Sequence, residues 1–161
     1  MYCFADYHTH TKHSHGRGTV AETVAAAAAR GLEIVAISDH GPHHLFGFGL
    51  ANLQVLEVIR RELAEATRLF PQVRGLVGIE ANIISVDGDL DLPEEHRHLT
   101  DLVLANIHGA VRPKSWRDCL SIWGTHLGSK VWPAWRARAV KINTEAVGNA
   151  IYRNRIHILT H

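Results

Sequence analysis

Apolar positions along this chain switch repeatedly between two periods, and the switching predicts alternating strands and helices. Cys3 to Tyr7 reads as a short strand. Thr19, with Glu22 three residues on, forms a capping box ahead of the alanine-rich stretch Val20 to Arg30, a helix stopped by Gly31. Leu32 to Ile37 is a continuous apolar run of strand length, suited to a strand buried on both faces. Leu53, Leu56, Ile59, Leu63 and Phe70 recur at helical spacing, and Pro71 ends that helix. Val73 to Ile79 predicts a third strand with Glu80 at its end, followed by Asp87, Gly88 and Asp89 as the turn of a small hairpin. Leu102 to Ile107 predicts a fourth strand. After a long loop, Pro133 opens a helix with Trp135, Ala139, Ile142, Ala146 and Ala150 along one face. Ile156 to Leu159 predicts a fifth strand.

This order implies an α/β fold of parallel strands joined by right-handed crossovers, so that all five carboxyl ends share one rim. His8, His10, His40, Glu80, His108 and His161 stand at those ends. In α/β sheets and barrels such a rim is where sites are built, because buried strands fix the geometry while their ends reach solvent. His8 and His10 are two residues apart, so in extended backbone both leave one face and can grip one ion. His13 and His15 follow in a polar, glycine-containing loop, and either could fold over that ion or hold a neighbouring one. His43 and His44 follow His40 in a second loop and read first as ordinary loop residues, with contact to a substrate as the lesser alternative. His96 and His98 read as a solvated helical turn after Pro93.

Composition adds the bounds. The chain has 161 residues, 46% hydrophobic and 20% charged, which fits one globular domain. A formal net charge of +1 offers no bulk reason to expect nucleic acid or an anionic membrane as partner. Between Arg112 and Lys141 seven Lys or Arg residues face the single acid Asp118, with four tryptophans interleaved. That segment reads either as a solvated loop and helix with the tryptophans packed beneath, or as a phosphate clamp in which Arg112, Lys114 or Arg117 reaches an anion. Cys3 and Cys119 are too few for a disulfide framework or a thiolate zinc knuckle and read as packing residues. The amino terminus lacks the basic start and apolar stretch of a signal peptide, and no run approaches a membrane span, so a cytoplasmic setting is expected.

Imidazoles mixed with one carboxylate suit transition metals such as zinc, manganese or iron rather than magnesium or calcium. A carboxylate such as Glu80 can give one oxygen to each of two ions and so bridge them. Two ions about 3.5–4 Å apart can share a water and lower its pKa, which offers hydrolysis of a phosphoryl group. Asp39, beside His40, is a candidate acceptor that would orient an imidazole.

The segments DYHTHTKHSHGRGT, AISDHGP, GIEANI, NIHGAV and ILTH together resemble the successive motifs of the polymerase and histidinol phosphatase (PHP) family, in its small stand-alone phosphatase branch. The resemblance implies a distorted (βα)7 barrel, a site for up to three metal ions and phosphoester hydrolysis by a metal-activated water. It would place His8 and His10 on the first ion, Glu80 as its bridge to a second held also by His108 and His161, and His15 with His40 on a third. Glu80 and His108 are the expected catalytic residues, and a small phosphorylated molecule the expected substrate, histidinol phosphate being one family possibility. The chain departs from the pattern by stopping at His161, before the family's late Asp-x-His motif. Residues 1–161 are therefore expected to be an incomplete PHP domain, weakly active or silent alone, with a complementing carboxyl-terminal half as one partner. A metal amidohydrolase also begins with His-x-His but bridges its metals with a modified lysine, and no strand end here offers one. A DNA-proofreading module lacks the polymerase segment and the broad basic surface it would need.

Overall fold

A computed structural model describes residues 3–161, apart from the side chains of His126 and Ala134. Met1 and Tyr2, on which the amino-terminal reading partly rests, lie outside the described residues. Five parallel strands form one sheet in the order of the chain: β1 (Ala5–Thr9), β2 (Ile34–Ile37), β3 (Arg74–Asn82), β4 (Leu102–Asn106) and β5 (Ile158–Leu159). The sheet curls because the pairing is staggered. The first half of β3 pairs with β2, Arg74 to Val77 opposite Ile34 to Ile37, and its second half pairs with β4, Gly78 to Asn82 opposite Leu102 to Asn106. Such a progressive offset is the shear that tilts strands in a barrel, and the result is a curled half-barrel with helices between its strands. The central strand is longer than its apolar run predicts, because its last residues are held by β4.

The helices cover the sheet as their patterns require. Helix α1 (Val20–Ala29) is opened by the predicted capping box, in which the Thr19 hydroxyl accepts from the Glu22 backbone and Glu22 accepts from the Thr19 backbone. It buries Val20, Val24 and Ala27. Helix α2 (Val55–Leu69) buries Leu56, Ile59, Leu63 and Ala66 on one stripe. Each fully buried aliphatic side chain contributes roughly 1.5–3 kcal/mol. A central core follows, in which β3 residues Val77, Ile79 and Ala81 join the apolar faces of both helices in one buried cluster. The hairpin turn is present: Ile83 pairs antiparallel with Leu90, and Gly88 sits at φ 84° with its Cα pressed on the Asn149–Ala150 backbone, where a Cβ would collide.

Three expectations are corrected. Residues 109–132 do not form a long loop: α3 (Trp116–Asp118), a π-helical segment (Cys119–Gly124) and α4 (Thr125–Val131) lead into α5 (Pro133–Arg153). Leu120, Trp123 and Leu127 do recur at helical spacing, i, i+3 and i+7, a signature that the reading of this stretch as a loop passes over. The tryptophans are not all packed beneath: Trp116 is 70% and Trp132 58% exposed, and Trp135 is also exposed. Cys3 and Cys119 are exposed free thiols rather than packing residues. Among the described residues no helix is long and apolar enough to cross a membrane.

Candidate metal centre

Glu80 lies near the carboxyl end of β3, fully buried, and its backbone is clamped between the extensions of β2. Its N–H donates to the Asp39 carbonyl at 3.0 Å, and its carbonyl accepts from Gly41 N–H at 2.9 Å. The carboxylate is thereby fixed at the centre of the rim. Oε2 faces His8 Nε2 at 3.2 Å, His10 Nε2 at 3.5 Å and His40 Nδ1 at 2.9 Å. Oε1 faces His108 Nε2 at 3.9 Å and His161 Nε2 at 3.7 Å. A slip in the β1–β2 register assists: Asp6 pairs with Val35 but Thr9 with Ile37, so β1 bulges around His8 and re-aims that side chain.

The two oxygens differ in their neighbours. Oε1 accepts from Asn106 Nδ2 and from the Thr160 hydroxyl, each at 3.0 Å. Oε2 is buried with no aligned hydrogen bond, and so are His10 Nδ1 and His40 Nδ1, the last despite its short distance to Oε2. Buried polar atoms are normally satisfied, and a carboxylate oxygen left bare among imidazole nitrogens calls for a cation. The donor set fits one. Burial is the main cause that lowers the pKa of His10 to about 4, with nearby His40 adding to it. Burial likewise lowers His108 to about 4, against the opposing pull of Glu80. Both imidazoles are therefore neutral at pH 7, with lone pairs free to ligate. Burial alone would raise the pKa of Glu80, but the His40 and Asn106 contacts outweigh it and hold the carboxyl well below its ordinary range, so the group is ionised.

The sequence-predicted ligands His8, His10, His15, His40, Glu80, His108 and His161 all meet here. Ligand atoms lie within 4.8 Å of one another in the groups His8–His10–Glu80, Glu80–His108–His161 and His10–His15–His40. A fourth group, His40–His44–His108, draws in His44, whose ring centre is 4.8 Å from that of His40 and 5.1 Å from that of His108. His13 turns the other way and pairs with Glu62 on α2 at 2.8 Å. Lys114 pairs with Asp89 at 2.9 Å, and the Arg112 guanidinium reaches His43 Nε2 at 3.4 Å. Among the described residues Asp39 makes no hydrogen bond to an imidazole. It accepts from the Thr11 backbone and hydroxyl at 2.7 and 2.6 Å and from the Ser14 hydroxyl, and so anchors the loop that carries His10 and His15.

Two supporting residues escape sequence reasoning. Asn82 Oδ1 meets His108 Nδ1 at 2.9 Å, which leaves Nε2 of that ring aimed at Glu80. Asn82 is held in turn by the buried Asp91, which accepts from the Asn82 side-chain amide at 2.6 Å, its backbone at 2.7 Å and the His43 backbone at 3.0 Å. Burial pushes the pKa of Asp91 up, and the three donors offset part of that cost. Gly41 packs directly on this carboxylate, where any Cβ would overlap it. The only signal in the sequence is a third aspartate after the hairpin turn, in a stretch where two neighbouring aspartates already explain the turn.

Against known proteins, the chain matches the family model for the PHP domain over residues 6–127. It is 41% identical over 117 residues to a probable phosphatase of Acetivibrio thermocellus, an alignment that covers 68% of this chain and 44% of that protein. A probable phosphatase of Photobacterium profundum is 38% identical over 117 residues, covering 69% of this chain and 43% of the other. One from Shewanella baltica is 33% identical over 162 aligned positions, covering 97% of this chain and 50% of the other. The chain thus spans about half the length of the curated relatives it matches.

Proposed function

The chain belongs to the PHP domain family, and from that premise we propose that it is a metal-dependent phosphoesterase acting on a small phosphomonoester. The reading is carried by one observation, the bare Oε2 of Glu80 set among three imidazoles. His8, His10 and Glu80 would hold one transition-metal ion, Glu80 with His108 and His161 a second, and His15 with His40 a third, with zinc, manganese or iron matching the donors. Ions bound there would supply a water acidic enough to attack phosphorus and would neutralise the phosphoryl oxygens. The protein's own part is to keep Glu80 charged, keep His10 and His108 neutral and fix the His108 ring through Asn82. The relatives' name, probable phosphatase, agrees with this chemistry.

A second reading is a centre that binds metal without hydrolysing a phosphoester. Metal content and hydrolysis of p-nitrophenyl phosphate, measured on the same zinc- or manganese-reconstituted protein, separate the two. Bound metal with turnover of about 1 per second supports the phosphoesterase. Bound metal without turnover supports the second reading. Less than one ion per chain refutes the centre itself.

A further inference from the structure

Beside the rim lies a cavity of about 520 Å³ that the phosphoryl chemistry leaves unused. It shares His44 and His108 with the metal centre, so anything bound across the two passes between those rings. Ile107, Ile122, Trp123 and Leu127 supply an apolar wall from the end of β4, the π-helical segment and α4. The Trp123 indole N–H is already committed to the Val111 carbonyl at 2.9 Å. The ring is therefore held in place and offers the cavity apolar surface, not a donor. Lys130 and Asn143 also line the space, and among the described residues neither side chain has a hydrogen-bond or ion-pair partner.

The volume falls within the range of about 300–1,000 Å³ usual for small-molecule sites, far more than phosphate or a short alcohol requires. The loop after β2 fixes the cavity's place. Leu45 N–H donates to the Ala110 carbonyl at 2.8 Å and His44 pairs with Val111, which ties the His44 side of the mouth to the backbone that holds Trp123.

We propose that this cavity is the leaving-group subsite. The preferred substrate is then a phosphomonoester of an aromatic or branched apolar alcohol that carries a carboxylate, the apolar body lying on Trp123 and the carboxylate meeting Lys130 and Asn143. The inference rests on the phosphoesterase reading. In the reaction a water oxygen bonds to phosphorus, the ester P–O bond breaks with its electron pair leaving on the alcohol oxygen, and that oxygen gains a proton. ROPO₃²⁻ and H₂O become ROH and HPO₄²⁻, and the cavity holds ROH while phosphate stays at the rim.

The test starts from product binding, which needs no metal and no turnover. Metal-free protein is titrated with 4-(hydroxymethyl)benzoate and with benzyl alcohol, following the Trp123 indole N–H resonance, assigned with Trp123→Phe. The carboxylate-bearing alcohol is expected to shift that resonance saturably and to bind about tenfold more tightly than benzyl alcohol, and Lys130→Ala to abolish the difference. Leu127→Glu, a change on a partly exposed wall residue, should weaken both ligands. With metal restored, KM for the 4-carboxybenzyl phosphate should be about tenfold below that for ethyl phosphate, and Lys130→Ala should raise it with kcat unchanged. An unmoved Trp123 resonance, or equal affinities in wild type and Lys130→Ala, overturns the subsite whatever the hydrolysis assay gives. Binding as expected with no ester hydrolysed keeps the cavity as an alcohol site and removes the phosphoesterase reading instead.

Discussion

Replacing Glu80 with glutamine tests the centre at the one carboxylate that, among the described residues, lies within ion-pair distance of the rim imidazoles. The substitution keeps the size of the side chain and can keep the Asn106 and Thr160 contacts at one oxygen, but it removes the charge and the bare Oε2. A metal that binds only the folded chain stabilises it by RT ln(1 + [M]/Kd), about 2.7 kcal/mol at a hundredfold excess over Kd. For a chain of this size each kcal/mol moves Tm by about 2–4 °C, so the wild type should gain about 5–11 °C. Losing even a partner outside the ligand set weakens metal sites by about 10–100-fold, and losing a bridging charge should reach at least the upper value. At the same metal concentration the variant then sits near its Kd and gains about 0.4 kcal/mol, or about 1–2 °C. Thermal scans with and without zinc or manganese provide the assay. His13→Ala serves as the control, since that imidazole pairs with Glu62 away from the rim, and its metal-dependent shift should match the wild type. Equal shifts in the wild type and Glu80→Gln would refute the assignment of Glu80 as the bridge.

Metal-free protein should lose stability as the pH falls below about 6.5, because unfolded histidines take up protons there. Folded His10 and His108 do not until about pH 4. Their depressed pKa values give a slope of up to about 1.4 kcal/mol per pH unit for each imidazole, and Glu80 adds a further loss below its unfolded value, so urea midpoints measured in chelator at pH 7, 6 and 5 should fall. A flat series would contradict the burial of neutral imidazoles. Asn82→Ala should lower metal affinity at the His108 side by about 10–100-fold, read by competition with a chelating dye, and an unchanged affinity would remove Asn82 from the positioning of that ring.

Local physics made much of this protein legible in its sequence. The capping box of Thr19 and Glu22, the stripe on α2 and the strand-length apolar runs depend on neighbours a few residues away, so periodicity reports them directly. Parallel order then follows from strand–helix alternation, and the strand ends that carry His8, His10, His40, Glu80, His108 and His161 fall together at one rim. Tertiary structure alone decided what holds them. Asp91, just after the hairpin, acts through Asn82, just before it, on the His108 ring 26 positions beyond that amide, and nothing in the spacing marks that relay. Asp39, beside His40 in sequence, faces the loop of Thr11 and Ser14 because β1 and β2 are neighbours in the sheet. The cavity beside the rim is likewise invisible in sequence, since its walls come from the loop after β2, the end of β4 and the helical segments beyond it, and only the fold brings these together. Ligand types follow from residue chemistry, whereas ring orientation, charge state and the shape of the neighbouring space depend on contacts between segments far apart in the chain.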